Sequence, residues 1–92
     1  MKEIHDSKCS LCDSDATFTF WNANRIKLFA CPKCPDYFIS VLAERSIQKV
    51  FNRKQGLAKM VAEMKGNPLL LEITLDGGDL HTSEVPRTKY LQ

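Results

Sequence analysis

Phe29-Ala-Cys-Pro-Lys-Cys-Pro-Asp-Tyr-Phe-Ile-Ser-Val-Leu-Ala-Glu-Arg45 decides how this chain is read. Pro35 follows the second cysteine directly. A proline suits the first position of a helix, where its missing N–H has no partner to lose. Asp36 would sit in the first turn, at the positive end of the helix dipole. The stretch therefore predicts a helix from about Pro35 to Lys54, continuing or restarting after Gln55-Gly56 to about Lys65. At 100° per residue, Ile47, Val50, Phe51, Leu57, Ala58, Val61 and Met64 share one arc. Phe38, Val41 and Leu42 fall on the other side with the basic residues. The buried face therefore changes near Arg45-Ser46, where the helix is covered on both sides, bends or breaks, with Ser46 as a candidate cap.

Upstream, Phe18 to Ala30 alternates apolar and polar residues on either side of Asn22-Ala23-Asn24, the pattern of a β-hairpin with a tight turn. Downstream, Gly66-Asn67-Pro68 stops the helical region. Leu69 to Leu75 reads as a strand, Asp76-Gly77-Gly78-Asp79 as a turn, and residues 80–85 as its returning partner. Residues 1–8 read as a polar lead-in.

Cys9-Ser-Leu-Cys12 and Cys31-Pro-Lys-Cys34 stand eighteen residues apart, a spacing typical of tetrahedral zinc sites. Two residues between thiolates let one backbone turn present both sulfurs to a single ion. A Cys-x-x-Cys turn, a hairpin and a second Cys-x-x-Cys leading into a helix resembles the treble-clef-like or zinc-ribbon-like four-cysteine zinc fingers over residues 8–54. The resemblance implies Cys9, Cys12, Cys31 and Cys34 as ligands of one structural Zn2+. It also implies that Cys34 lies near a helix N-terminus that favours its thiolate. Binding of zinc by small fingers is worth about 10–16 kcal/mol, against a net stability of about 5–15 kcal/mol for a whole domain. The ion could thus supply the entire margin of the fold, and the metal-free chain is expected to lose structure in its first half.

The fold class expected is a small α+β domain, 1–92, stabilised by zinc. It has a lead-in (1–8), a finger with a long helix (9–54), and a region 55–92 holding a helical extension, a β-hairpin and a tail. With 92 residues, 43% of them hydrophobic and 26% charged, one compact domain is expected rather than disorder. No apolar run is long enough for a membrane span. The first residues are too polar for an export signal. A cytoplasmic location follows as the expectation, in which four cysteines point to metal or redox chemistry before disulfides.

The net charge of +2 is unevenly spread: residues 45–65 hold six Lys/Arg against Glu63 alone. Arg45, Lys49 and Arg53, spaced by four, with Lys59, form a candidate phosphate-facing stripe. The other reading of such a run is a solvated helix face. Lys33 and Arg25 would extend the stripe. Trp21 is a packing residue over the metal site or a stacking platform, with packing the simpler reading. Leu69 to Leu75, if left at a sheet edge, could pair with a second copy and make a homodimer.

The function expected is a non-catalytic binding module for nucleic acid or protein. The competing reading is a thiol-disulfide oxidoreductase. The order strand, Cys31-Pro-Lys-Cys34, helix, with Val85-Pro86 downstream, also resembles the start of a glutaredoxin or thioredoxin site. No βαβ unit surrounds that pair, and Cys9 and Cys12 would be left without a purpose. A hydrolytic site needs an open metal position, which four thiolates close. His5 and His81 are read as solvent-exposed, in a tail and a loop, with substitution for a cysteine ligand as the alternative.

Overall fold

The computed structural model describes residues 3–49 and 51–90, and of Phe51 and Asn52 only the backbone. Among these residues the chain forms six strands and two helices: β1 (His5–Lys8), β2 (Asp15–Trp21), β3 (Ile26–Cys31), β4 (Cys34–Ser40), α1 (Val41–Ile47), α2 (Phe51–Ala62), β5 (Leu69–Asp76) and β6 (Asp79–Pro86). The strands make one sheet in sequence order. Neighbours are antiparallel except β4 and β5, which run parallel with both helices in the connection between them.

This overturns the expected long helix and, with it, the treble-clef architecture. Residues 34–40 are a strand, not the start of a helix. The reason lies in the run Tyr37-Phe38-Ile39, whose aromatic and β-branched side chains favour a pleated surface. Tyr37, Phe38 and Ile39 are all buried, because β4 is covered on both faces and hydrogen-bonded on both edges. A strand buried in this way carries no polar alternation, so its sequence looks like part of a helix. Pro35 near the start of a strand removes a ladder donor where pairing is only beginning. The period is two rather than 3.6. Tyr37 and Ile39 face the helices, and Phe38 faces away, in a second cluster with Ile26, Leu70 and Val85.

Ser40 ends β4 and caps α1, its hydroxyl accepting from the Ala43 N–H at 3.1 Å. Of the alternatives open near Arg45-Ser46, neither a bend nor a break falls there: α1 runs through both residues to Ile47, α2 begins at Phe51, and Ser46 is not the cap of a second helix. The apolar arc spans both helices: Ile47, Leu57, Val61 and Met64 are buried, and Ala58 packs against them. Val50 and the Phe51 side chain, also on that arc, lie outside the described residues. Together the arc covers Phe18, Phe29, Tyr37, Ile39, Leu71 and Ile73 of the sheet.

Both hairpins read from the sequence are present. Asn22, Ala23 and Asn24 all take left-handed backbone angles (φ 51°, 56° and 65°) in the β2–β3 turn. Gly77 and Gly78 (φ 61° and 85°) make the two-residue turn between β5 and β6. The lead-in is corrected: residues 5–8 pair with β2, and His5 is half-buried, stacked on Phe18 at 5.1 Å. β5 is an inner strand flanked by β4 and β6, so the expected homodimer through residues 69–75 finds no free backbone edge there. Trp21 packs in the second cluster, on the face away from the helices, and not over the cysteines. Among the described residues no helix is long and apolar enough to cross a membrane.

Candidate metal centre

Each cysteine pair sits on the tip of a hairpin, and the two tips lie at the same end of the sheet. The first, residues 9–14, closes β1 onto β2. The Cys9 N–H donates to the Ser14 carbonyl at 2.8 Å, and the Asp13 N–H to the Cys9 carbonyl at 3.0 Å. Asp13 takes φ 62° to complete this turn, a conformation that Asp tolerates better than most residues. Its carboxylate is held by Lys54 of α2 at 2.6 Å. The second tip, Cys31-Pro32-Lys33-Cys34, joins β3 to β4, with the register shifting between Phe29 and Cys31. That bulge re-aims the Cys31 side chain.

The tips bring all four sulfurs within 4.8 Å of one another, and Cys12 Sγ lies 3.4 Å from Cys31 Sγ. A tetrahedron of thiolates at about 2.3 Å from one ion has sulfur–sulfur edges of about 3.8 Å. The cluster is therefore compatible with a bound metal ion, with every ligand position taken by sulfur. Cys9, Cys12, Cys31 and Cys34, grouped by their spacing in the sequence, are the four residues that the fold brings together. Among the described residues neither histidine joins the group. His5 lies at the far end of β1 from Cys9, and His81 is exposed on β6, in a strand rather than a loop.

The four thiols differ in their surroundings. Cys9 and Cys31 are buried, Cys12 and Cys34 half-buried. Burial would push the Cys12 thiol up, but hydrogen bonds from the Ser14 hydroxyl and backbone outweigh it and hold the pKa at about 6. Burial, reinforced by neighbouring thiols, raises Cys34 well above the ordinary thiol range and raises Cys31 as well. The expectation that a helix N-terminus favours the Cys34 thiolate is thus corrected, since Cys34 opens a strand. For the same reason the pair Cys31-Pro-Lys-Cys34 lacks the strand-to-helix setting that prompted the redox reading. Neither of its thiols is tuned toward a ready nucleophile.

A chain of buried polar groups leads away from the cluster, and nothing in the spacing of the sequence announced it. Cys9 Sγ is 3.2 Å from the Tyr37 hydroxyl, which is 3.2 Å from Ser10 Oγ. Ser10 donates to Glu44 Oε2 at 3.0 Å, and Lys27 Nζ donates to Glu44 Oε1 at 2.6 Å. Lys27 also lies 4.3 Å from the centre of the Phe18 ring. Ser10 has one proton and gives it to the carboxylate. A thiolate at Cys9 could only accept, so the Tyr37 hydroxyl would then donate to it and lower the negative charge that a bound ion would have to balance. Burial, together with the Cys9 contact, raises Tyr37 far above the ordinary phenol range, so it remains a donor. Among the described residues no buried side-chain nitrogen or oxygen lacks a hydrogen-bond partner. The cluster is thereby fastened to β3, β4 and α1, not merely to its own two turns.

Arg45, Lys49, Arg53 and Lys59 are all exposed. Arg45 lies in the last turn of α1 and Arg53 on α2, so they do not form a stripe along one helix. Compared with family models, with curated proteins and with solved structures, the chain finds no significant match.

Proposed function

We propose that the chain is a non-catalytic binding module whose fold is held by one structural Zn2+ on Cys9, Cys12, Cys31 and Cys34. The observation that carries this reading is the closed set of four sulfurs on two hairpin tips. Four thiolates suit zinc, which prefers a soft tetrahedral set, and they leave no position for a reacting water. The twin-hairpin arrangement is nearer to a zinc ribbon than to a finger with a ligand on a helix.

Nucleic acid is the partner that the charge distribution favours. Arg45, Lys49, Arg53 and Lys59 are exposed, and among the described residues none of them forms an ion pair with an acidic side chain. Cations without such partners cost least to place beside phosphates.

Elemental analysis of protein prepared under reducing conditions should give one zinc per chain. Absence of stoichiometric metal would remove the reading at its root. Binding of a single-stranded oligonucleotide should weaken steeply with salt, and Arg45→Ala/Lys49→Ala/Arg53→Ala should reduce the log–log slope by about two. A zinc-loaded wild type that binds no oligonucleotide at low salt keeps the metal module and eliminates the nucleic-acid partner.

A further inference from the structure

The two outer strands of the sheet are built differently. β1 has four residues and ends on Lys8. β6 has eight, pairs with β5 at every position from Asp79 to Pro86, and holds no lysine, arginine or bulge. Outer strands are commonly shortened, bulged or studded with lysine, because an unblunted row of backbone groups pairs with another chain. β6 has none of these devices before Pro86. Its middle residues, His81, Thr82, Ser83 and Glu84, alternate between the two faces and are all exposed, so neither helix overhangs the edge. Lys89 and Tyr90 turn back over Glu72 and Phe38 rather than lying beyond β6.

Hairpin geometry fixes which backbone groups point outward. Asp76 and Asp79 flank the two-residue turn and form its hydrogen-bonded pair. The antiparallel ladder alternates from there. Asp79, His81, Ser83 and Val85 therefore bond to β5, while Leu80, Thr82 and Glu84 direct N–H and carbonyl away from it. Their side chains share the helix face, since Thr82 and Glu84 stand opposite Ile73 and Leu71.

One antiparallel register with a second copy satisfies all three. A two-fold axis normal to the sheet at Thr82 sets Thr82 against Thr82, a favourable cross-strand pair, and sets each Leu80 against the other copy's Glu84. Centring the axis on Ser83 would place Leu80 against Pro86, which has no N–H to give. Centring it on His81 would place two imidazoles opposite each other and leave Glu84 beyond the strand. The charges also match. Leu80 shares an open cleft of about 430 Å³ with Arg53, Gly56, Met60 and Asp79. Arg53 is exposed and, among the described residues, forms no ion pair. Glu84, held by Asn67 at 3.5 Å, would bring its carboxylate to the mouth of that cleft on the other copy.

We propose that β6 pairs antiparallel with β6 of a second copy about Thr82, joining two sheets into one, with Glu84 of each copy facing Arg53 of the other. The pairing is closed, because each copy spends its unblunted edge on the other. It stands independently of the zinc and nucleic-acid readings, and Arg53 alone is common to both surfaces.

The test is sedimentation equilibrium of the full chain under reducing conditions. Wild type should pass from monomer to dimer as concentration rises and stop there. Thr82→Lys sets two cations together at the axis and should weaken the dimer at least tenfold. Glu84→Arg and Arg53→Glu should each weaken it, and together should restore it. Should Thr82→Lys fail to fold, the charge exchange still decides, because both side chains are exposed. A wild type that stays monomeric at millimolar concentration, a dimer indifferent to Thr82→Lys in a folded variant, a double exchange that regains nothing, or association that grows past two copies overturns the proposal.

Discussion

Replacing Lys27 by Met tests whether the polar chain behind the cysteines carries structural weight. The Lys27–Glu44 contact is 2.6 Å, with side chains only 15% and 10% exposed. Met fills the volume of the stem but leaves the Glu44 carboxylate with the Ser10 hydroxyl as its one remaining donor. Removing one partner of a buried pair costs about 3–5 kcal/mol. Because Ser10 stays, the lower end, about 3 kcal/mol, is expected. For a domain of this size each kcal/mol moves the melting temperature by about 4–8 °C, so the variant should melt about 12–24 °C lower. The assay is thermal denaturation by circular dichroism at matched metal content, since bound metal shifts stability by mass action. Lys8→Ala is the internal control. Its partner Asp15 is reached across an exposed strand end, with side chains 68% and 91% exposed, and water already competes for both charges. Adding Glu44→Gln to Lys27→Met should recover at least half the loss, since a neutral amide strands no charge. A Lys27→Met variant that melts like Lys8→Ala, or a loss that Glu44→Gln does not relieve, would refute the reasoning.

Metal loading at pH 7.5 should release two or three protons per ion, measured by titration calorimetry in buffers of different ionisation enthalpy. Cys31 and Cys34, raised above the usual thiol range, must each give one up, whereas Cys12, near 6, has already lost its own. Affinity must then rise with pH, because protons compete with the ion for the same sulfurs. Release of four would show that the metal-free chain does not hold Cys12 as an ionised group. Ala23→Gly should stabilise the fold by about 1 kcal/mol, because Ala23 holds φ 56° in the β2–β3 turn, where a side chain other than Gly is strained. An unchanged or lower denaturant midpoint would contradict the strain.

Local signals in the sequence are legible where chemistry is local. Four cysteines at fixed spacing, Asn22-Ala23-Asn24, and Gly77-Gly78 each name their own geometry, because a tight turn depends on a few neighbouring residues. Residues 34–40 mislead because a strand buried on both sides shows no polar alternation and Pro35-Asp36 imitates a helix start. His5 reads as part of a tail because four polar-looking residues become a strand only when Phe18 offers a partner. Tyr37, Ser10, Glu44 and Lys27 come from four separate parts of the chain, and no spacing rule links positions brought together only by folding. One clue is present: a serine between two cysteines, followed much later by a lone acid in an otherwise apolar and basic stretch.

The order of the strands has a kinetic consequence. From β1 to β4 every pairing joins neighbours along the chain, and all four sulfurs belong to that meander. The parallel pairing must wait, since Tyr37 meets Leu71, 34 positions further on, and closing so long a segment is entropically slow. A nascent chain can therefore assemble its four-cysteine cluster while its second half is still being synthesised. The four-strand meander would then be the template on which helices, β5 and β6 condense.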